Sequence, residues 1–140
     1  MKDMGTPHKK MQELIDCYAE TDYLKEMALL PKDSDKEEAA LKWLALAVLH
    51  GVARNARKIR LERSSAGDVT VRAEYNDTEI PSPGKDIGGN IVEAARQITH
   101  IEGKKGEIPL AIGIRDSNLE IRVKIKEENG KERITLDFTK

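Results

Sequence analysis

Hydrophobic residues recur along this chain with two periods, and the change from one period to the other separates helices from strands. Over residues 9 to about 30 the apolar residues recur at helical intervals and Pro31 follows, so we predict a single amphipathic first helix. A second helix follows the N-cap residues Ser34 and Asp35 and ends near Arg54. Because it is apolar on nearly every side, we predict that this helix is buried and that its Trp43 lies in the core.

From residue 57 onward the period is two, which is typical of strands with one buried face. Residues 57–62 and 69–75 are predicted to form a hairpin, and a short third strand is ended by Pro81 and Pro83. A flexible-looking segment, residues 81–89, comes next. Asn90 and Glu93 then match a capping box, which predicts a third helix from Asn90 to about residue 102. Three more alternating strands are predicted at residues 107–115, 119–126 and 133–138.

The order of these elements predicts an α+β fold. We expect a two-layer domain with about six mostly antiparallel strands, helices packed on one face of the sheet, and an extra N-terminal helix. Residues 1–33 would form the helical extension and residues 34–140 the α+β domain, whose second sheet face carries charged residues and faces water. The pattern leaves open whether the first helix packs across the domain or mediates self-association. Met1 and the long first helix favour a complete short chain.

Composition narrows the classes of protein. The chain has 24 Lys and Arg residues against 25 Asp and Glu, so no global field attracts nucleic acid or an anionic membrane. One Trp, one Phe and three Tyr offer few stacking surfaces, and we do not expect nucleic-acid binding. The longest apolar run is far shorter than the roughly 18 residues of a membrane-spanning helix, and the single Cys17 has no internal disulfide partner. We therefore predict a cytoplasmic protein without membrane insertion.

Three segments carry a resemblance to a known family. Residues 56–63, Ala-Arg-Lys-Ile-Arg-Leu-Glu-Arg, resemble the Ala-Ser-Asp-Ile-His-Ile-Glu strand of the type II secretion and type IV pilus assembly ATPases. Residues 69–77 resemble that family's next strand and turn, Val-Arg-Val-Arg-Tyr-Arg-Ile-Asp-Gly, with Val69, Val71 and Arg72 matching. Residues 90–112 look like the family's following helix and strand, including a glycine, here Gly106, just before the strand. The resemblance covers about residues 38 to 126 and implies the PAS-like N-terminal domain of these ATPases.

This resemblance implies a module without its motor. The sequence contains no Gly-x-x-x-x-Gly-Lys-Ser/Thr loop to hold ATP phosphates. We therefore expect a non-catalytic protein-interaction or regulatory domain, without a cofactor, whose partner is a protein of a secretion or pilus machinery. Self-association stays open. The alternative is a small-ligand or nucleotide sensor that uses the basic residues between Arg54 and Arg63. The family's arginines in this region are associated with a nucleotide at a subunit interface, but only Arg72 is in register with one of them.

A cluster of basic residues lies where the second helix meets the first strand, and we call it the basic corner. It could bind a phosphate, a nucleotide or an acidic partner surface, or it could complement the helix dipole and pair across strands with Glu62 and Glu74. The structural interpretation is favoured. The candidate anion- or partner-binding residues are Arg54, Arg57, Lys58, Arg60 and Arg72, with Arg63 at the end of the same cluster.

A second candidate surface lies on the strand predicted at residues 107–115. Its outward residues Pro109, Ala111 and Gly113 are small and uncharged, unlike the outward residues of the neighbouring strands. We call them the small-residue strip. It is predicted to be either a sheet edge or a place where another surface packs, and it could instead be covered by the first helix.

No residue is predicted to be catalytic or to hold a metal. His8, His50 and His100 are far apart and have no carboxylate or Cys at ligand spacing. The serines and threonines have no neighbouring base that would activate them. His50 is expected in or beside the core of the second helix.

Overall fold

The computed structural model of the chain describes residues 7–32, 35–74, 78–80, 82–114 and 117–138. Some positions named in the predictions lie outside these ranges. They are the N-cap candidate Ser34, Pro81, and the last residues of two predicted strands, Tyr75 and Arg115. Within them the chain forms an α+β fold, as predicted. Its helices are α1 (Pro7–Tyr18), α2 (Tyr23–Leu29), α3 (Lys36–Ala53) and α4 (Lys85–Thr99), with a short 3-10 turn at Leu30–Lys32. Its strands are β1 (Lys58–Arg63), β2 (Val69–Ala73), β3 (Thr78–Glu79), β4 (Lys105–Ile114), β5 (Ser117–Glu128) and β6 (Lys131–Asp137).

The six strands form one sheet in the order β3-β2-β1-β6-β5-β4. Every neighbouring pair is antiparallel. The sheet therefore consists of two meanders, β1 to β3 and β4 to β6, joined where β1 pairs with β6. Because β3 and β4 are the two outer strands, α4 carries the chain from one edge of the sheet to the other.

α3 lies at the centre of the helical layer, in contact with α1, α2 and α4 as well as with the sheet. Every residue from Trp43 to Gly51 is buried, and Trp43 is only 1% exposed. The prediction of a helix buried on all sides is confirmed. Residues of α1 and α2, among them Met11 and Ile15, belong to the same hydrophobic core as the sheet. α1 thus packs across the domain.

The glycine inside α3 allows an aromatic ring to pack directly against the helix backbone. A Cβ atom added at Gly51 would overlap the ring of Phe138, which follows β6. The backbone N–H of Phe138 also donates to the carbonyl oxygen of Arg57 at 2.9 Å, so the ring is fixed from the sheet side. Gly51 therefore costs helix propensity but allows close packing between α3 and the end of the sheet.

The predicted single first helix is wrong, because the chain breaks between Tyr18 and Tyr23. Thr21 bonds back to the carbonyl oxygen of Tyr18 through its backbone N–H at 3.1 Å and its hydroxyl at 2.8 Å. The Asp22 carboxylate accepts from the backbone N–H of Lys25 and caps α2. Such short side chains compete with helical bonding, so two helices replace one although the apolar period continues.

The predicted start of the third helix is also wrong. α4 begins at Lys85 and not at Asn90, whose side chain lies inside the helix and donates to the carbonyl oxygen of Asp86 at 3.2 Å. The segment that looked flexible supplies the first helical turns, and Gly88 lies in them at a position where a Cβ would overlap Val69 of β2. Gly88 therefore allows close packing between α4 and the sheet. α4 ends at Thr99, a turn earlier than predicted, with His100 in the left-handed conformation.

Candidate binding face

The helices cover one side of the sheet and leave the other side uncovered, and we call the uncovered side the open face. Its residues alternate along each strand with those that point into the core. Nine basic and six acidic described side chains lie on it, a positive surplus in a chain whose net charge is −1. The basic residues are Lys58, Arg60, Arg72, Lys105, Arg122, Lys124, Lys126, Lys131 and Arg133, and the acidic residues are Glu62, Glu74, Glu107, Glu120, Glu128 and Asp137.

The structure divides the basic corner between two places. Lys58, Arg60 and Arg72 lie on the open face, where β1 and β2 place them side by side. Arg57 is exposed just before β1. Arg54 is the C-cap of α3 and lies in the helical layer, so it is not part of the same surface. The sequence pattern located the cluster but not this division.

Residues of like charge face each other directly at two places on the open face. Arg60 of β1 is opposite Arg72 of β2. In the other half of the sheet, Lys126 of β5 is flanked by Arg133 of β6 and by Lys105 of β4. Directly opposite residues have Cβ atoms about 4.5–5.5 Å apart, and like charges at that spacing are destabilising. The fold therefore keeps two groups of mutually repelling cations on its uncovered side.

Several cations on the open face have acidic partners. An Arg60 Nη atom lies 3.2 Å from a Glu74 carboxylate oxygen, which confirms part of the predicted cross-strand pairing. Arg133 donates twice to one oxygen of Glu62, from Nη2 at 2.8 Å and Nε at 3.1 Å. Further pairs are Arg122 with Glu107, Lys124 with Asp137 and Lys126 with Glu128.

Other cations on this face are left over. Lys58, Arg72 and Lys105 form no ion pair with any side chain in the described part of the chain. Arg72 and Lys105 are exposed and Lys58 is partly exposed, while the strand register places Asp137 opposite Lys58 and Glu79 opposite Arg72. The other ion pairs on this face are largely exposed and should contribute little to stability, whereas the pair of Lys124 with the buried Asp137 is screened less by water.

Glu62 is the acidic residue whose ionisation responds to this environment. Its hydrogen bonds from Arg133 lower the pKa of the Glu62 carboxyl below its usual value, against the opposing effect of partial burial, and the nearby charges of Arg133, Arg60 and Lys131 lower it further. Glu62 is therefore held ionised among the cations of the open face.

Two polar residues at the centre of the open face are buried, and the alternating pattern did not predict their burial. Thr135 is 7% and Asp137 5% exposed, although both lie on the uncovered side. β6 is a central strand, and long basic residues stand beside them: Arg60 and Lys124 flank Thr135, while Lys58 and Arg122 flank Asp137. The aliphatic stems of such side chains cover their shorter neighbours. Only the strand order could have revealed this, because it determines which residues are neighbours.

The small-residue strip lies on an edge strand, which was one of the alternatives predicted for it. β4 is the last strand of the sheet, and Pro109 and Ala111 are exposed. Gly113 is contacted by α1: the Gln12 side-chain amide donates to the Gly113 carbonyl oxygen at 2.7 Å and accepts from the Gly113 N–H at 2.9 Å. The strip therefore lies on the edge strand, and the first helix covers its Gly113 end. Sequence reasoning missed Gln12.

A shallow groove of about 450 Å³ lies at one end of the sheet, between the β1–β2 and β5–β6 turns. Arg63 donates to Glu132 there at 2.8 Å, and the Glu62–Arg133 pair forms another part of the wall. Lys126 and Arg133 also line this groove, but its four basic side chains are matched by four acidic ones, so the groove carries no excess charge. The basic ones are Arg63, Lys126, Lys131 and Arg133, and the acidic ones are Glu62, Asp68, Glu128 and Glu132.

His50 lies in a second cleft, of about 270 Å³, where the start of α2 meets the end of α3. His50 is 3% exposed, which confirms the prediction that it lies in or beside the core. Burial lowers the pKa of His50, and the charge of Arg54 lowers it further. Asp22 and Tyr23 complete the cleft together with Arg54. His50 is therefore neutral near pH 7.

Metal-binding and membrane-spanning features were sought in the same described ranges. They contain no group of three or more His, Cys, Asp and Glu side chains arranged to hold a metal ion. Cys17 is an exposed free thiol. None of the helices described is both long and apolar enough to cross a bilayer.

No model of a known protein family matches this chain, and no curated protein matches it significantly. The resemblance to secretion ATPases therefore stays a prediction. The fold and the face define the class only as an α+β domain with an uncovered, charged six-stranded sheet.

Proposed function

We propose that this chain is a non-catalytic interaction module whose open face binds an acidic protein surface. The observation that carries the proposal is the set of like charges placed directly opposite each other: Arg60 with Arg72, and Lys126 with Arg133 and Lys105. A bound carboxylate-rich surface would relieve this repulsion by lying between the cations. Lys58 and Arg72 would also contact the partner, since neither forms an ion pair with a described side chain.

The kind of anion that the open face can bind depends on whether aromatic side chains lie near its cations. Proteins that bind single-stranded nucleic acid combine basic grooves with aromatic surfaces on which the bases stack. The described aromatic side chains lie elsewhere: Trp43 is buried in α3, Phe138 packs on Gly51, and Tyr18 and Tyr23 are in the helical layer. Carboxylates need only the cations. An acidic protein segment therefore fits the open face better than a nucleic acid.

The proposed biological setting comes from the sequence resemblance. We propose a PAS-like module, related to the N-terminal domain of type II secretion and type IV pilus assembly ATPases, that acts on a protein of such a machinery in the cytoplasm. The order from α3 to β6, a helix and three strands followed by a helix and three strands, agrees with the segments on which the resemblance rests. The free thiol of Cys17 agrees with a reducing compartment.

The test is charge reversal on the open face. The double variant Lys58→Glu with Arg72→Glu changes two cations that have no ion pair in the described ranges, so the fold should be kept. The control, Lys25→Glu with Lys32→Glu, makes the same change in net charge on exposed residues of the helical side. Binding to a poly-glutamate peptide and to a secretion or pilus motor ATPase would be measured by titration.

We expect the open-face variant to lose about tenfold or more in affinity for both probes, because like charges would then meet across the interface. The control should bind like the wild type. Equal losses in the two variants would contradict the proposal, since they would show that net charge alone matters. Binding of poly-glutamate without any binding of the motor ATPase would retain the face and reject the setting.

A nucleotide or small-ligand sensor is the second candidate function. The observation that favours it is that Arg60 and Arg72 lie directly opposite each other on neighbouring strands. Their two guanidinium groups could therefore bind the same phosphate. Thermal unfolding with and without ATP, and with inorganic phosphate, tests it. A rise in Tm that is absent from Arg60→Ala and Arg72→Ala would support it by mass action. No rise in the wild type would reject it.

A further inference from the structure

Three cations stand side by side across the open face, near one end of the sheet. The strand registers place Lys105 of β4 opposite Lys126 of β5, and Lys126 opposite Arg133 of β6. We call these three residues the cation row. Neighbouring strands lie about 4.8 Å apart, so the row spans roughly 10 Å. The next position across the sheet is Glu62 of β1, which ends the run of positive charge.

The positive charge of the cation row exceeds the negative charge beside it. Lys105 forms no ion pair in the described part of the chain, and neither does the exposed Lys131 at the start of β6. Glu62 and Glu128 pair with the other two cations of the row, at 2.8 and 3.7 Å, and both pairs are largely exposed. Because exposed pairs are weak, an external carboxylate can compete for these cations. In the described ranges, the row and Lys131 therefore set four cations against two carboxylates.

A second line of cations, along β5, is more fully compensated. Its members Arg122, Lys124 and Lys126 are alternate residues of one strand, about 6.8 Å apart. Arg122 pairs with Glu107 at 2.9 Å, and Lys124 pairs with the buried Asp137 at 3.4 Å. Of the three, Lys126 is the one whose neighbours on both adjoining strands are positive. The uncompensated charge therefore runs across the strands and not along β5.

The length of the cation row matches one kind of partner backbone. An α-helix rises about 1.5 Å per residue, so carboxylates at positions i, i+3 and i+7 lie on one face and span roughly 10 Å. Three successive side chains on one face of an extended strand span roughly 13 Å. Three on one side of a polyproline II helix span roughly 19 Å. Of these backbones, the helix places one carboxylate over each cation of the row.

We propose that the open face binds its acidic partner through an α-helix that carries carboxylates at i, i+3 and i+7 and lies across β4, β5 and β6 along the cation row. This inference rests on the proposed function, because it names the form in which the acidic partner is bound. A preformed helix also loses less conformational freedom on binding than a flexible acidic chain does.

The shape of the surface beside the cation row also suits a helix. Two cations of the row, together with Lys131, line the shallow groove of about 450 Å³. Two carboxylates of the groove are paired away from the row: Asp68 with Lys85 at 3.4 Å, and Glu132 with Arg63 at 2.8 Å. The row therefore borders a concave surface, into which the convex side of a helix fits.

Two peptides of identical composition test the geometry. Both are alanine-rich, blocked at their ends and about 20 residues long, and both carry three glutamates. One has the glutamates at i, i+3 and i+7, and the other has them spread around the helix, with equal helicity by circular dichroism. We expect the first peptide to bind about tenfold tighter in titrations followed by NMR of the protein.

The outcomes separate this inference from the proposed function. Equal affinities of the two peptides would overturn the inference and leave binding of acidic partners in place. Binding of poly-glutamate without binding of the first peptide would do the same, since it would show that the face prefers an extended chain. If neither the peptides nor poly-glutamate binds, both proposals are wrong.

Two double variants locate the contact. Lys126→Gln with Arg133→Gln removes one lysine and one arginine from the cation row. The control, Lys58→Gln with Arg72→Gln, removes the same residue types from β1 and β2 of the same face. The spacing of strands and residues puts the control positions more than about 10 Å from the row, beyond the Debye length of about 8 Å at physiological salt.

We expect the variant in the cation row to lose about fivefold or more in affinity for the first peptide, and the control to lose less than about twofold, because a helix with three carboxylates covers only the row. Circular dichroism checks that both variants are folded. Equal losses in the two variants would place the contact elsewhere on the open face and overturn the inference.

The amide signals of the wild type report the direction in which the bound helix lies. Perturbed signals should cluster at residues 104–107, 124–128 and 131–135, on three neighbouring strands. Perturbation that instead follows β5 as far as Glu120 would show a partner lying along the strand, and the inference would be wrong.

Discussion

α3 and the open face lie on opposite sides of the same sheet and are built by different rules. The α3 segment from Trp43 to Gly51 is buried throughout, and the absence of a side chain at Gly51 leaves room for the Phe138 ring. The open face instead carries like charges in direct opposition, some without a partner in the described ranges. A core is constrained by shape, so its sequence is explained by packing. Packing does not explain the like charges of the open face, and binding is the explanation that we propose for them.

The strongest test of this contrast is to remove the largest side chain of α3. Trp43→Ala should lower the free energy of unfolding by about 3–5 kcal/mol, because it leaves a cavity among residues that cannot all move inward. Arg72→Ala on the open face should change it by no more than about 0.5 kcal/mol. Urea unfolding of both variants measures the difference. Similar losses would show that the open face contributes to stability as the core does.

Packing against Gly51 gives the next largest effect. Gly51→Ala should cost about 1–3 kcal/mol despite the better helix propensity of alanine, because its Cβ meets the Phe138 ring. Gly103→Ala is the control, since the nearest atom to a Cβ there is the Lys105 carbonyl oxygen at 4.0 Å. Combining Gly51→Ala with Phe138→Leu should recover part of the loss in thermal unfolding. Additive losses would mean that the ring is not the cause.

The local features of the fold could be predicted from the sequence. The buried α3 with Trp43, its end at Arg54 and Asn55, and the alternating strands are each encoded by residues close together in the chain, and the structure confirms them. The start of α4 was wrong because the glycines of that segment look flexible when the strand they pack against is not known. Gly88 makes room for Val69 of β2.

The candidate surfaces depend on strand order, which alternation does not contain. The basic corner was identified from its composition, but its division between the open face and the end of α3 follows from where β1 leaves the helix. The burial of Asp137 arises because β6 lies between β1 and β5. The bond between Gln12 and Gly113 joins residues about 100 positions apart. No short-range pattern marks such pairs.

The pH dependence of stability separates the two sides of the sheet by pH range, because both contributions are lost as the pH falls but over different intervals. His50, on the buried side, has a lowered pKa, so the unfolded chain binds its proton more readily and stability falls as the pH drops below about 6.5. Glu62, on the open face, also has a lowered pKa; its contribution is present above its usual value of 4.5 and is lost as the pH falls through the lower folded value. His50→Gln should remove the first loss and Glu62→Gln the second, in urea unfolding followed from pH 8 to 3. A His50→Gln protein with the wild-type slope between pH 7 and 5 would assign that loss to another group.

The smallest expected effect is the coupling between Glu62 and Arg133. Their side chains are 42% and 44% exposed, so water screens the pair although two hydrogen bonds join it at 2.8 and 3.1 Å. A double-mutant cycle with Glu62→Gln and Arg133→Gln should give a coupling energy of about 0.2–1 kcal/mol at low salt, and less at high salt. Because Arg133 stands beside Lys126, removing its charge also relieves a repulsion, and the Arg133→Gln single variant should be close to neutral. A coupling of several kcal/mol would show that the fold depends on the charges of the open face, and the case for reserving them for a partner would then be lost.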